Sequence, residues 1–203
     1  MAIKPMISKA VLALAAVTLC PIALNAQTSP SEGASQSSAA TSASRVAASD
    51  VSFMKKAAQG GLAEVELGQL ATEKAASPEV KQFGQRMVDD HGKANDQLKQ
   101  IASQKGVALP DKLDAKDAAT KARLAKLSGE QFDRAYIKDM VTDHTKDVSE
   151  FRMEARSGKD PEVKNFASET AGTIADHLKH AKSLASGSAH THHASSGAPS
   201  GTE

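Results

Sequence analysis

Four stretches of this chain each gather their apolar residues on one face at 100° per residue, the period of an α-helix. No stretch alternates β-branched and polar residues with the period of two that strands require. A chain patterned this way buries apolar surface only by packing helices together. The expected fold is therefore all-α, a four-helix bundle. The first stripe, the weakest, holds Phe53, Met54, Ala57, Gly61, Val65, Gly68 and Ala75. The second holds Val80, Phe83, Gly84, Met87, Val88, Ala94, Leu98, Ile101 and Ala102. The third runs through Tyr136, Ile137, Met140, Val141, Val148, Phe151 and Ala155, the fourth through Val163, Phe166, Ala167, Ile174, Leu178, Ala181 and Leu184.

Local signals set the ends. The first long helix is expected over roughly 50–76. Ser77-Pro78-Glu79 and Asp160-Pro161-Glu162 each offer a cap residue, a proline at the first helical position and an acid near the positive helix end. They open the second and fourth helices. Gly106 stops the second, and the fourth fades near Ser186. Ser128-Gly129-Glu130-Gln131 fits a capping box for the third, which ends near Arg156. Residues 111–127 read as a shorter connecting helix after Leu109-Pro110. Two echoes recur: Pro78 to Phe83 matches Pro161 to Phe166, and Met87 to His91 matches Met140 to His144. Their registers differ, so they support two helical hairpins rather than a clean duplication.

The termini differ in kind. Lys4 and Lys9, the ten-residue apolar run Ala10–Leu19 and the small-residue end Leu24-Asn25-Ala26 read as a secretory signal over residues 1–26. Residues 27–48, rich in Ser and Ala, and the tail 187–203 lack large apolar side chains and are expected to be disordered around a bundle domain at 49–186. The expected location is periplasmic or secreted, with no membrane span after signal cleavage. Cutting after Ala26 removes the lone cysteine, Cys20, so no disulfide framework is available. Charge is balanced at +1, and aromatics are 3% of residues, with no Trp. Neither the basic surface nor the stacking platforms of a nucleic-acid binder are present. No nucleophile–base pair, phosphate loop or nucleotide fingerprint appears.

What interrupts the stripes is chemically specific. Glu64 falls in the first, His91 in the second, His144 in the third and His177 in the fourth. Glu64 stands fourteen residues before Pro78 and His91 thirteen after it; His144 stands seventeen before Pro161 and His177 sixteen after it. Antiparallel hairpins place each pair level, and the two pairs differ in depth by about 4.5 Å. Buried imidazoles and carboxyls must find one another, water or a metal. Three imidazoles and one carboxylate suit a single transition metal such as zinc, iron, copper or nickel. Asp90, Asp143 and Asp176 each precede one of the histidines and swing about 100° off the stripe. There they could accept a ring N–H from a neighbouring histidine. The alternative is a structural polar layer of Glu64 and charged histidines that fixes helix register without metal. Tyr136 reads as packing, and His190, His192 and His193 as incidental.

These residues carry a resemblance. Phe53 through Leu70, Met87 to His91, Phe132 to Tyr136, Met140 to His144 and Ala175 to Leu178 are similar to the bacterial family called domain of unknown function 4142. The resemblance implies a ferritin-like helical bundle and an exported protein, its members often being labelled outer membrane proteins. It implies no activity. Diiron bundles place Glu three residues before each of two histidines. Here those positions hold Val88, Val141 and Ile174, which argues against diiron chemistry and leaves a mononuclear site.

Overall fold

The computed structural model describes residues 46–194, with side chains to residue 187. The expected signal segment, nearly all of the leader and the last nine residues lie outside that range. Five helices and no strand occur among the described residues: α1 (Ala48–Lys74), α2 (Pro78–Gln104), α3 (Ala115–Ala125), α4 (Gly129–Ser157) and α5 (Pro161–Ala194).

The proline-led starts form as their residues dictate. The Ser77 hydroxyl accepts from the Val80 amide at 3.3 Å. Asp160 accepts from Glu162 and Val163 at 3.0 and 3.2 Å. Asp114 caps α3 through the Asp117 amide at 2.8 Å. The capping box expected at α4 is not made. Gly129 lies at φ +59°, and the Ser128 side chain makes no cap bond. The left-handed glycine turns the chain between the hydroxyl and the amides it would have reached. At the other end, α5 continues past Ser186 to Ala194.

Two buried aspartates lock the hairpins together. Asp133, near the start of α4, accepts from the Ala76 and Ser77 amides at 3.0 and 2.9 Å. Asp50, near the start of α1, accepts from the Lys159 and Asp160 amides at 2.9 and 2.6 Å. Each hairpin thus holds the turn of the other. Asp133 follows Asp50 by 83 residues, and Pro161 follows Pro78 by the same 83. The two hairpins are therefore related by an approximate twofold with one constant register. The second sequence echo, between α2 and α4, obscures that register because it does not belong to it.

The same bonds fix the topology. The starts of α2 and α4 share one end of the bundle, and the starts of α1 and α5 the other. Lys105, at the end of α2, confirms the second end by pairing with Asp160 at 2.7 Å and Glu162 at 2.5 Å. Residues 105–128 must then run the length of the bundle, a long crossover of the kind found in ferritin-like folds. On the way, α3 packs against α1 and α4. This cover explains a departure in α1. Ala63, Leu67, Leu70 and Ala71 are buried, whereas Ala57 and Val65 are only partly so. A helix covered by three neighbours buries more than one stripe.

The core falls into two apolar clusters. One gathers Leu67, Phe83, Met87, Leu124, Phe132, Tyr136 and Met140 with Ala181. The other gathers Phe53, Met54, Leu98, Val148, Phe151, Phe166 and Ile174. Along every long helix, the inward polar residue lies where one cluster gives way to the other: Glu64 before Leu67, His91 after Met87, His144 between Met140 and Val148, His177 between Ile174 and Ala181.

Candidate metal centre

His144 and His177 are fully buried, and His91 is 7% exposed. They come from α4, α5 and α2. Their ring centroids form a nearly equilateral triangle, with sides of 5.7 Å (His91–His144), 5.3 Å (His91–His177) and 5.5 Å (His144–His177). One nitrogen from each ring lies within 4.8 Å of the other two. Among the described residues, His91 Nε2 and His177 Nδ1 lack a hydrogen-bond partner, and His144, with only the Met140 carbonyl near its ring, keeps at least one nitrogen unpartnered. A metal bound at about 2.0 Å would draw three such nitrogens to about 3.4 Å apart, so closure needs only small ring rotations.

One of the three aspartates meets this triangle. Asp90 Oδ2 lies 2.9 Å from His177 Nε2. Arg86 donates to the same oxygen at 3.2 Å. Burial alone would raise the Asp90 carboxyl, but the bonds from His177 and Arg86 outweigh it and hold it below its ordinary value. An ionised carboxylate only accepts, so His177 carries its proton on Nε2 and its free lone pair on the buried Nδ1. Asp143 instead faces the groove between α1, α3 and α4, and Asp176 is exposed. Neither has a histidine partner among the described residues.

Glu64 stands beside the triangle without joining it. Its Oε1 is 3.8 Å from His144 Nδ1, within ion-pair range but beyond a hydrogen bond, and its Oε2 has no partner among the described residues. Burial, then the charges of Asp147 and Asp143, raise its pKa well above the usual carboxyl value. Burial lowers His144 to about 4, helped by His177 and weakly opposed by the Met140 carbonyl. Burial also lowers His91 strongly, its two histidine neighbours adding to the effect. His177 is lowered by burial against the pull of Asp90. Near neutrality the three imidazoles are uncharged, the form that ligates metal. A salt-bridged layer, which needs charged histidines, is disfavoured by the same environment.

A cavity of about 230 Å³ between α2 and α5 reaches His91 and His177. Sequence reasoning missed two neighbours of the site. Asn95 is buried where the absent Cβ of Gly61 would stand 2.0 Å from its Oδ1, so Gly61 makes room for it. Asp147 shares a cavity with Glu64. It lies 83 residues after Glu64, the signal that could have found it.

Fold and site together define a helical bundle with a histidine triad at its middle. The chain belongs to the family described as Domain of unknown function (DUF4142), whose profile matches residues 35–184. The crystal structure of a DUF305 fragment from Deinococcus radiodurans is similar, with a TM-score of 0.61 at 17% identity, covering 70% of this chain and 97% of that one. A structure of CopM in the Cu(I)-bound form gives a TM-score of 0.55 at 20% identity, over 66% of this chain and 93% of that one. At these identities the likeness shows a shared fold. No curated protein matches the chain.

Proposed function

We propose that this is an exported protein that binds one copper ion in the reduced state through His91, His144 and His177. The observation that carries the reading is the triangle of buried, unpartnered ring nitrogens on three helices. Leaving such groups unpaired costs about 1–3 kcal/mol each, a cost that a metal ion removes. The ligand set is neutral and lies between two apolar clusters. Moving an ion into such a place costs less for one charge than for two. Imidazole ligands suit copper, and the Cu(I)-bound CopM structure shows a copper protein on a related fold. Export rests on the N-terminal sequence, which predicts a mature chain beginning at Gln27.

Zinc is the second reading, favoured by the position of Glu64. Zinc takes four ligands in a tetrahedron, and a small rotation would bring the carboxylate in as the fourth. Anaerobic titration against a chromophoric Cu(I) chelator tests the first reading. The expected result is one equivalent bound, weakened about a hundredfold or more in His91→Ala. Equal affinity in wild type and His91→Ala, or no binding at all, overturns it. Retention of zinc in preference to Cu(I), with loss in Glu64→Gln, would establish the second.

A further inference from the structure

A cavity of about 280 Å³ opens between α1, α3 and α4. Six carboxylates and three lysines line it. Their arrangement is graded. Lys56, Lys116 and Lys146 are exposed, whereas Asp117, Asp143 and Asp147 are half-buried. Glu64 is deepest, 4% exposed, and its Oε2 has no hydrogen-bond partner among the described residues. The interior of the groove is thus lined by acids and its rim is mixed. Lys146 turns toward Glu150 at 3.6 Å. Among the described residues, neither Asp143 nor Asp147 forms an ion pair.

The twofold explains how these acids meet. Glu64 and Asp147 occupy equivalent positions, 83 residues apart, on the first helix of each hairpin. Both line this one cavity. Asp143 lies one turn earlier on α4, and Asp117 arrives from α3, where Gln59 Nε2 approaches it at 3.5 Å. A buried carboxylate oxygen with no hydrogen-bond partner among the described residues, flanked by three further acids, is satisfied by a cation.

We propose that this groove binds a hydrated divalent cation of the oxygen-preferring class (magnesium, calcium or manganese) through Glu64, Asp117, Asp143 and Asp147. The carboxylates do not converge as the histidines do, so the ion keeps part of its water shell, as magnesium commonly does. At about 30 Å³ per water, the cavity holds an ion and several waters. Oxygen ligands separate this site from the imidazole centre by metal class, and it does not depend on the copper reading.

Electron paramagnetic resonance of Mn²⁺ added to the full chain tests it. Wild type is expected to bind one Mn²⁺ per chain, and Asp147→Asn about tenfold more weakly. Asp117→Asn serves as the second variant should the first fail to fold by circular dichroism. His91→Ala should bind Mn²⁺ as wild type does. No Mn²⁺ binding in wild type, or unchanged affinity in both Asn variants, overturns the proposal. Loss of binding in His91→Ala also overturns it, because the ion would then sit on the imidazoles.

Discussion

Asp90 shows how one side chain can set the chemistry of another. Its carboxylate fixes the proton of His177 on Nε2, so the ring's free lone pair is on Nδ1, which is buried without a hydrogen-bond partner among the described residues. Without it, the ring is free to change tautomer or turn over. Asp90→Ala is therefore expected to weaken metal affinity about 10- to 100-fold, the usual effect of removing such a partner. Circular dichroism should be unchanged, since Asp90 lies outside both apolar clusters. Wild-type affinity in the chelator competition would mean that packing alone orients His177. The histidines themselves were legible in the sequence, as polar interruptions of apolar stripes at matched depth. Their orienting partner was not. Asp90, Asp143 and Asp176 stand in the same position relative to a histidine, yet one bonds a ring, one faces an acidic groove and one is exposed. That choice depends on which helix lies beside each, which no single helix pattern contains.

At the scale of the helix pair, α1 and α2 approach closely at two glycines. A Cβ on Gly84 would stand 2.7 Å from the Ala71 Cβ and 2.9 Å from the Gly68 carbonyl oxygen. One on Gly68 would stand 2.6 Å from the Gly84 carbonyl oxygen. Since these neighbours are backbone or backbone-borne, nothing flexible can yield. Gly84→Ala is expected to cost about 1–3 kcal/mol in urea denaturation, as overpacking does. Gly92, on the same helix, has nothing within 4 Å of its missing Cβ. Gly92→Ala should stabilise by roughly 0.5–1 kcal/mol, from helix propensity alone. If both variants shift stability in the same direction, close approach is not what the α1–α2 glycines provide. Helix boundaries were readable because proline, glycine and cap residues act locally. The wide buried face of α1 was not, because α3 reaches it only through the crossover. The twofold register was hidden for a related reason. Asp50 and Asp133 are each single acids in sequence, and their equivalence shows only once each is seen holding the other hairpin's turn.

For the whole molecule, two sets of buried groups pull stability in opposite directions with pH. Folded His144 titrates at about 4, below its ordinary 6.5. Below pH 6.5 the unfolded chain takes up a proton that the folded chain refuses. Stability is full above that pH and is lost as pH falls toward 4, by about 3 kcal/mol for this residue. Asp147 acts in reverse. Its folded value of about 6 exceeds its ordinary 3.8, so the folded chain keeps a proton that the unfolded chain releases. Its contribution is present below 3.8 and is lost as pH rises toward 6. The variant Asp147→Asn isolates that part. In metal-free buffer it should melt like wild type near pH 3.5 and be more stable by about 1–2 kcal/mol at pH 7.5, allowing for its partial solvation. Saturating Mn²⁺ at pH 7.5 should then reverse the order. An ion held in the groove stabilises wild type in proportion to the logarithm of its occupancy ratio, and the variant gains less. The acid that weakens the empty fold is then the one that strengthens the loaded fold. Melting curves that keep the same order with and without Mn²⁺ would separate the charge strain around Glu64 from any cation.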